Sequence, residues 1–251
     1  MVDSVPAAAK IQVFAGMYGS GKTEVALNQA ERLSAVGRAV TLVDLDVVTP
    51  YFCSRHERER LQSAGIRLIS AGGQFAFSDL TSIPAEVIGA LGAPADVTVV
   101  DVGGDEAGTT VLGSLREYVG SNEYALIMVV NTYRPFTRHA RGILESVELV
   151  EKACRMSVAG LVSNPNMGAA TTAEMVLRGH EAIREACDRS GLPLLCASVD
   201  SRLAVEVEAR LGDCPVFPIR RHFVLPWETR AGGLRASRNG WQRSKQSCGD
   251  V

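Results

Sequence analysis

The stretch Gly16-Met17-Tyr18-Gly19-Ser20-Gly21-Lys22-Thr23 carries the residue types that hold a phosphate, matching G-x-x-x-x-G-K-[ST] at every fixed position. Glycines let successive backbone N–H groups curl around an anion, and a helix beginning at the end of such a loop adds the positive end of its dipole. In that chemistry Lys22 reaches the β- and γ-phosphates and the Thr23 hydroxyl ligates Mg²⁺. The loop residues from Gly16 through Glu24 then form the nucleotide-binding set. A chance Gly-rich turn would show the same letters, but here the motif sits between an aliphatic run and an amphipathic one, the strand and helix it requires.

Phosphoryl chemistry also needs carboxylates on the metal side. Val97-Thr98-Val99-Val100-Asp101 ends in one, and Asp101 is the expected Mg²⁺-side acid at the end of a neighbouring strand. Gly104, three residues on, places a flexible backbone N–H where a γ-phosphate could be sensed. A second acidic strand end is Thr41-Leu42-Val43-Asp44-Leu45-Asp46. Alternate residues of a strand share a face, so Asp44 and Asp46 are expected to point together toward the phosphates if this strand lies beside the loop strand. Asp46 is the stronger candidate for holding a metal-bound water and orienting the attacking one; both compete with simple turn capping before Thr49-Pro50. Lys22, Asp46 and Asp101 make up the candidate catalytic set, and Thr23, Asp46 and Asp101 the candidate Mg²⁺ set.

These residues need a scaffold with strand ends on one edge. Aliphatic or β-branched runs recur at 10–15, 39–43, 67–71, 97–100, 124–130, 158–162, 193–197 and 216–219. Amphipathic stretches between them predict helices over 23–36, 52–64, 83–91, 109–119, 136–153, 172–189 and 202–211. The runs lack polar alternation, as strands covered on both faces do. The expectation is an α/β fold of three layers, a mostly parallel sheet with helices on both faces. The chain has 251 residues with 46% hydrophobic and 22% charged, and 26 basic against 28 acidic residues leave a net charge of −2. That excludes a disordered acidic tail and a basic nucleic-acid coat. One nucleotide-binding domain over 1–230 is expected. Residues 231–251 form a Gly/Ser/Arg-rich tail whose composition suits a flexible segment.

With the loop, the Asp44-Leu45-Asp46 strand end and Asp101-Val102-Gly103-Gly104 in this order, the chain resembles the MinD/ParA-like branch of P-loop NTPases over roughly 10–220. The resemblance implies that Asp46 helps organise the attacking water and that the Asp101 strand lies beside the loop strand. One position departs: the family's signature lysine follows the loop's first glycine, and here Met17 stands there, which removes the usual route to an ATP-driven dimer. The strand at 158–162 ends Ser163-Asn164-Pro165-Asn166, without the Lys and Asp of a guanine pocket. Asn164 resembles the family's adenine-contacting Asn, its amide offering both a donor and an acceptor, although an Asn-Pro turn would read alike. Asn131 and the segment Ser198-Val199-Asp200 are weaker candidates near the nucleotide.

Several features carry bland readings. His56-Glu57-Arg58-Glu59-Arg60 is a solvated helix face. The histidines lack ligand spacing, and the six cysteines form no C-x-x-C pair, so zinc and a disulfide scaffold are not expected. Phe75 and Phe77 in the loop 72–79 read as core packing, with a switch surface as the alternative. The N-terminus lacks a basic n-region and no run approaches membrane-spanning length, so a cytoplasmic protein without membrane docking is expected. No specific nucleic-acid ligand is indicated. Together these point to a Mg²⁺-dependent ATPase coupling ATP to a protein partner, with a homodimer open. The alternatives are an ATP-dependent small-molecule ligase or kinase, with Arg55 or Arg134 near its substrate, and a non-hydrolysing nucleotide-gated adaptor.

Overall fold

The computed structural model describes residues 9–46, 55–70, 84–94, 96–104, 106–119 and 124–222. The aliphatic runs form strands β1 (Ile11–Ala15), β2 (Val40–Asp44), β3 (Ile66–Ser70), β4 (Val97–Asp101), β5 (Tyr124–Val130), β6 (Val158–Ser163), β7 (Leu194–Asp200) and β8 (Val216–Ile219). The helices are α1 (Lys22–Ala35), α2 (Arg55–Ser63), α3 (Ala85–Gly92), α4 (Glu106–Val119), α5 (Ala140–Cys154), α6 (Ala173–Ser190) and α7 (Ala204–Leu211). The chain divides into a unit Met1–Arg220, which holds every one of these elements, and a unit Arg221–Val251. Most of the latter, with the expected tail 231–251, lies outside the described residues, as does the loop 72–79.

The strands make one sheet in the order β3-β2-β4-β1-β5-β6-β7-β8, and each neighbouring pair is parallel. Parallel neighbours cannot be joined by hairpins, so every connection crosses over through a helix or long loop. The helices bury both faces, which explains why β4 and β5 lack an alternation of buried and exposed positions. On one face α1 and α2 pack Val25, Ala26, Leu33 and Leu61 against Phe14, Leu42 and Val99. On the other, α3 to α6 pack Leu91, Leu115, Ile143 and Ile183 against Val13, Val43, Val100 and Met128. Gln12, in the middle of β1, is fully buried, and its carbonyl oxygen accepts from Gln29 Nε2 of α1 at 2.9 Å, so this core amide is matched where it could not be solvated.

This topology sets the site. β1 lies between β4 and β5, and all three strands run the same way. The residues after their carboxyl ends therefore gather on one edge of the sheet, where α/β folds bind ligands. Sequence leaves open whether the second acidic strand lies beside the loop strand, while the resemblance sets the Asp101 strand there. β4 is that neighbour of β1, and β2 pairs with β4, which separates it from β1. A parallel neighbour is chosen by crossover packing, which leaves no local trace in the strand itself.

Candidate nucleotide-binding site

The loop between β1 and α1 is shaped as its sequence requires. Gly16 has no room for a side chain: an added Cβ would stand 2.5 Å from the Val129 carbonyl oxygen and 2.7 Å from Ser20 Oγ. Gly21, at φ 87°, precedes α1 and provides no side-chain cap. The first N–H groups of the helix are thereby left for a ligand, next to the positive end of the dipole. Inside the loop Ser20 N–H donates to the Met17 carbonyl at 3.0 Å, closing a tight turn. Met17 is half-buried while Tyr18 is 77% exposed. Glu24 sits in the first turn of α1, its carbonyl accepting from Asn28 Nδ2 at 2.8 Å.

Lys22 is the first residue of α1 and is buried. Its Nζ would stand 3.0 Å from a Cβ added to Gly104, whose backbone also lies against the Tyr18 backbone. Lys22, Tyr18 and Gly104 thus meet, although more than 80 positions of sequence separate the loop from Gly104. Asp101 is buried at the end of β4, opposite Phe14 of β1. Burial raises its pKa to about 6; the Lys22 charge and a hydrogen bond from Thr23 pull it down, and the Asp46 charge pushes it up. Lys22, Thr23, Asp46 and Asp101 therefore share one electrostatic environment.

The acidic end of β2 is organised differently from a simple alternating strand. Regular pairing stops at Asp44, which is buried, and the chain turns so that Asp46 N–H donates to Asp44 Oδ1 at 3.0 Å. Asp44 is thus the cap of this turn, with its own side chain shaping the backbone, as Asx residues do. Asp46 is half-buried beyond it.

Does Mg²⁺ fit here? Asp101 Oδ1 is buried with no hydrogen-bond partner among the described residues, and Ser20 Oγ is another such atom. A buried carboxylate oxygen left open beside a threonine hydroxyl suits a hard cation, which takes oxygen ligands and keeps part of its water shell. Thr23, Asp101 and, through water, Asp46 are the residues that would hold it. Among the described residues no three of His, Cys, Asp or Glu gather as a metal site, so these ligands are a threonine hydroxyl and two carboxylates at most.

The opposite side of the loop is held by amides and a guanidinium. Asn164, just past β6, donates from Nδ2 to the Ser20 carbonyl at 2.7 Å, and its Oδ1 accepts from Ser198 Oγ of β7 at 2.8 Å. One hydrogen of the amide that sequence assigns to an adenine is therefore engaged by the loop, and its oxygen by β7. Asn131, fully buried after β5, donates to the Asn166 carbonyl at 3.0 Å and more weakly to Gly19. Its Oδ1 accepts from the N–H groups of Tyr133 and Asn166. Arg134 Nε donates to the Gly19 carbonyl at 2.8 Å. Two successive loop carbonyls are thus drawn outward by side chains from β5 and β6. Sequence ranks Asn131 low, and its role becomes legible only when β5, β6 and the loop stand together. At β7, Asp200 is held by the Arg202 guanidinium.

Of the expected solvated helix face, Arg58 and Glu59 of α2 are exposed, whereas Arg60 is half-buried and pairs with Glu31 of α1; the side chains of Arg55 and His56 lie outside the described residues. His180 is buried in α6 against Ser163 Oγ at 3.0 Å. Cys154, Cys187 and Cys196 are buried thiols outside any disulfide, and burial pushes Cys187 up to about 11.

No protein-family model matches the chain, and no curated protein matches it. Solved structures do. The cell division protein FtsY of Thermotoga maritima superposes with a TM-score of 0.52 at 18% identity over 78% of this chain and 64% of that one. Chloroplast FtsY of Physcomitrella patens gives 0.52 at 15% identity over 75% and 58%, and FtsY of Mycoplasma mycoides 0.50 at 17% over 74% and 59%. The fold is that of the P-loop NTPases. The chain spans between 58% and 64% of the length of these three structures. At such identities the likeness is one of fold, and the MinD/ParA-like branch suggested by sequence is not singled out by it. No helix among the described residues is long and apolar enough to cross a membrane.

Proposed function

We propose that this chain binds a Mg²⁺-nucleoside triphosphate on the Gly16–Thr23 loop, hydrolyses it slowly, and transmits the bound state to a protein partner. The observation that carries the reading is the meeting of Lys22, Thr23 and the buried Asp101 at an uncapped helix N-terminus. Bound Mg²⁺ would neutralise phosphate charge. Lys22 binds the β- and γ-phosphate oxygens, the N–H groups around Gly21 to Thr23 cradle the chain of phosphates, and Asp46 orients water. Gly104, against Lys22, is placed to sense the γ-phosphate. In phosphoryl transfer such positioning and charge are most of what a protein contributes.

ATP is the proposed nucleotide. Between Ser163 and Ala173, after β6, there is no carboxylate to accept from a guanine edge; Asn164 and Asn166 offer amides instead. Asn164 keeps its second amide hydrogen for the base while the first holds Ser20. A protein partner is favoured by the apolar groups flanking the loop: Tyr18 is 77% exposed, Phe136 70% and Met167 46%, each within two residues of a group that touches or forms the loop. A homodimer on this face is one form that partner can take, by a route that does not use a lysine at Met17.

Steady-state phosphate release with Mg²⁺ and ATP tests the reading. Wild-type protein should turn over slowly, and Lys22→Ala should lose turnover by at least about 100-fold, as removal of one dominant electrostatic group does. Equal rates for the two proteins would refute it.

A further inference from the structure

Resting on that reading, the two sides of the loop have different chemistry. Lys22, Asp101, Asp46 and Gly104 lie on the β4 side. Asn131, Arg134, Asn164 and Asn166 lie on the β5–β6 side. A metal held by Asp101 and Thr23 fixes the β,γ end of a triphosphate, so the nucleoside leaves toward β5 and β6. Arg134 is the one cation that hydrogen-bonds the loop backbone on that side among the described residues.

Its guanidinium is fixed before any ligand arrives. Nε donates to the Gly19 carbonyl, and a Cβ added at Gly19 would meet Arg134 Nε at 2.7 Å, Cδ at 3.2 Å and Cζ at 3.3 Å. The group therefore lies directly on the glycine, which only a residue without a side chain permits. Its backbone is fixed as well: Arg134 N–H donates to the Asn131 carbonyl at 3.1 Å and Thr137 N–H to the Arg134 carbonyl at 3.2 Å. Pro135 then opens a 3-10 turn, Pro135–Thr137. Neither Nη group has a hydrogen-bond or ion-pair partner among the described residues, and the side chain is half-buried. A planar cation, held by one edge and half out of water, is suited to stacking on an aromatic ring.

We propose that Arg134 recognises the nucleoside, its guanidinium stacking on the face of the base of the bound triphosphate. The residue acts on affinity for the base and leaves the phosphate cradle to Lys22 and the loop N–H groups. Stacking is tolerant of base identity, so Arg134 contributes to both purines alike and the amides after β6 separate them.

The test compares Mg²⁺-ATP with inorganic tripolyphosphate, which has the phosphates and no base, by calorimetric titration of the full chain. Arg134→Ala should weaken ATP by about threefold to tenfold and leave tripolyphosphate within about twofold of wild type, the range a cation–π contact spans. Arg134→Lys, keeping the charge without the plane, should not restore ATP affinity. If Arg134→Ala does not fold, Arg134→Met, which keeps the stem over Gly19, gives the same comparison. Equal weakening of both ligands would overturn the proposal, since Arg134 would then serve the loop or the phosphates, and so would unchanged ATP affinity. Wild-type protein that binds tripolyphosphate but not ATP or GTP also overturns it while sparing the loop assignment. Wild-type protein that binds none of the three refutes the proposed function itself.

Discussion

Asp44 and Asp101 are Cα partners across the parallel β2–β4 ladder, both buried, at the carboxyl edge beside Lys22. Two acids buried at one level of a parallel sheet are costly, and the two are used differently. Asp44 accepts the Asp46 N–H and so shapes the turn, while Asp101 lies beside Lys22 and Thr23. Desolvation outweighs the help Asp101 receives from Lys22 and Thr23, so its folded pKa lies above the unfolded value. Above pH 6 the ionised group therefore lowers the stability of the nucleotide-free fold. Asp101→Asn should raise that stability by about 1 to 3 kcal/mol, following the usual conversion of a shift of this size. The same change should abolish Mg²⁺-dependent turnover. Urea unfolding at about pH 7.5 with parallel phosphate-release assays checks both halves.

Asn164 links Ser20 of the loop to Ser198 of β7 through a side chain that is 3% exposed. Asn164→Ala leaves the Ser198 hydroxyl and the Ser20 carbonyl without it. The expected loss of stability is about 2 kcal/mol or more, because buried polar groups left unmatched each cost on the order of 1 to 3 kcal/mol. ATP binding should weaken too. A melting temperature equal to wild type would show that the link is not structural.

These links also mark where sequence reading ends. Val97 to Val100 and Tyr124 to Val130 declare buried strands by composition alone, and helix starts such as Thr172 carry their own cap, its hydroxyl accepting from Met175 N–H. The loop is equally local, and the fold brings Lys22 and Thr23 to Asp101. Strand order is not local: nothing in 39–44 reveals that β4 will come between β2 and β1. Asn131, Arg134 and Asn164 bond loop carbonyls 112, 115 and 144 positions away, and only the assembled sheet brings them there. Asn164 is legible as the polar end of a strand, but its grip on Ser20 is not.

Gly104 offers a sharper separation of stability from activity. Its φ lies outside the left-handed region, so alanine is allowed by the backbone, yet the added Cβ would stand 3.0 Å from Lys22 Nζ and from Tyr18 Cα. Gly104→Ala should keep the melting temperature within a few degrees and lower turnover by about tenfold or more, by pushing Lys22 off the phosphates, as small displacements at a reacting centre do. Melting curves and kcat measured on one preparation decide the point.

His180 governs a pH effect behind the amide side of the site, where it bonds Ser163 at the end of β6, next to Asn164. Burial lowers its pKa, the neighbouring Arg184 lowers it further, and Glu181 raises it by less. The folded state therefore prefers neutral imidazole, and the unfolded chain takes up the proton first as pH falls. Stability from this site is complete above about pH 6.5 and is lost as pH drops below it toward the folded value. His180→Gln, uncharged throughout, should show a smaller fall in urea midpoint between about pH 7.5 and about pH 5 than wild type. An identical fall in both proteins would place the acid sensitivity elsewhere.

Triphosphate binding on the Gly16–Thr23 loop through Lys22, with adenine as the base, is the claim on which the proposed function stands. Thermal unfolding with Mg²⁺ and either ATP or GTP, in wild type and Lys22→Ala, tests it most directly. A ligand at about 100 times its Kd adds roughly 2.7 kcal/mol, enough to shift the midpoint visibly. The predicted result is a shift with ATP that exceeds the shift with GTP and disappears in Lys22→Ala. No shift with either nucleotide, or one that survives the loss of Lys22, would contradict it.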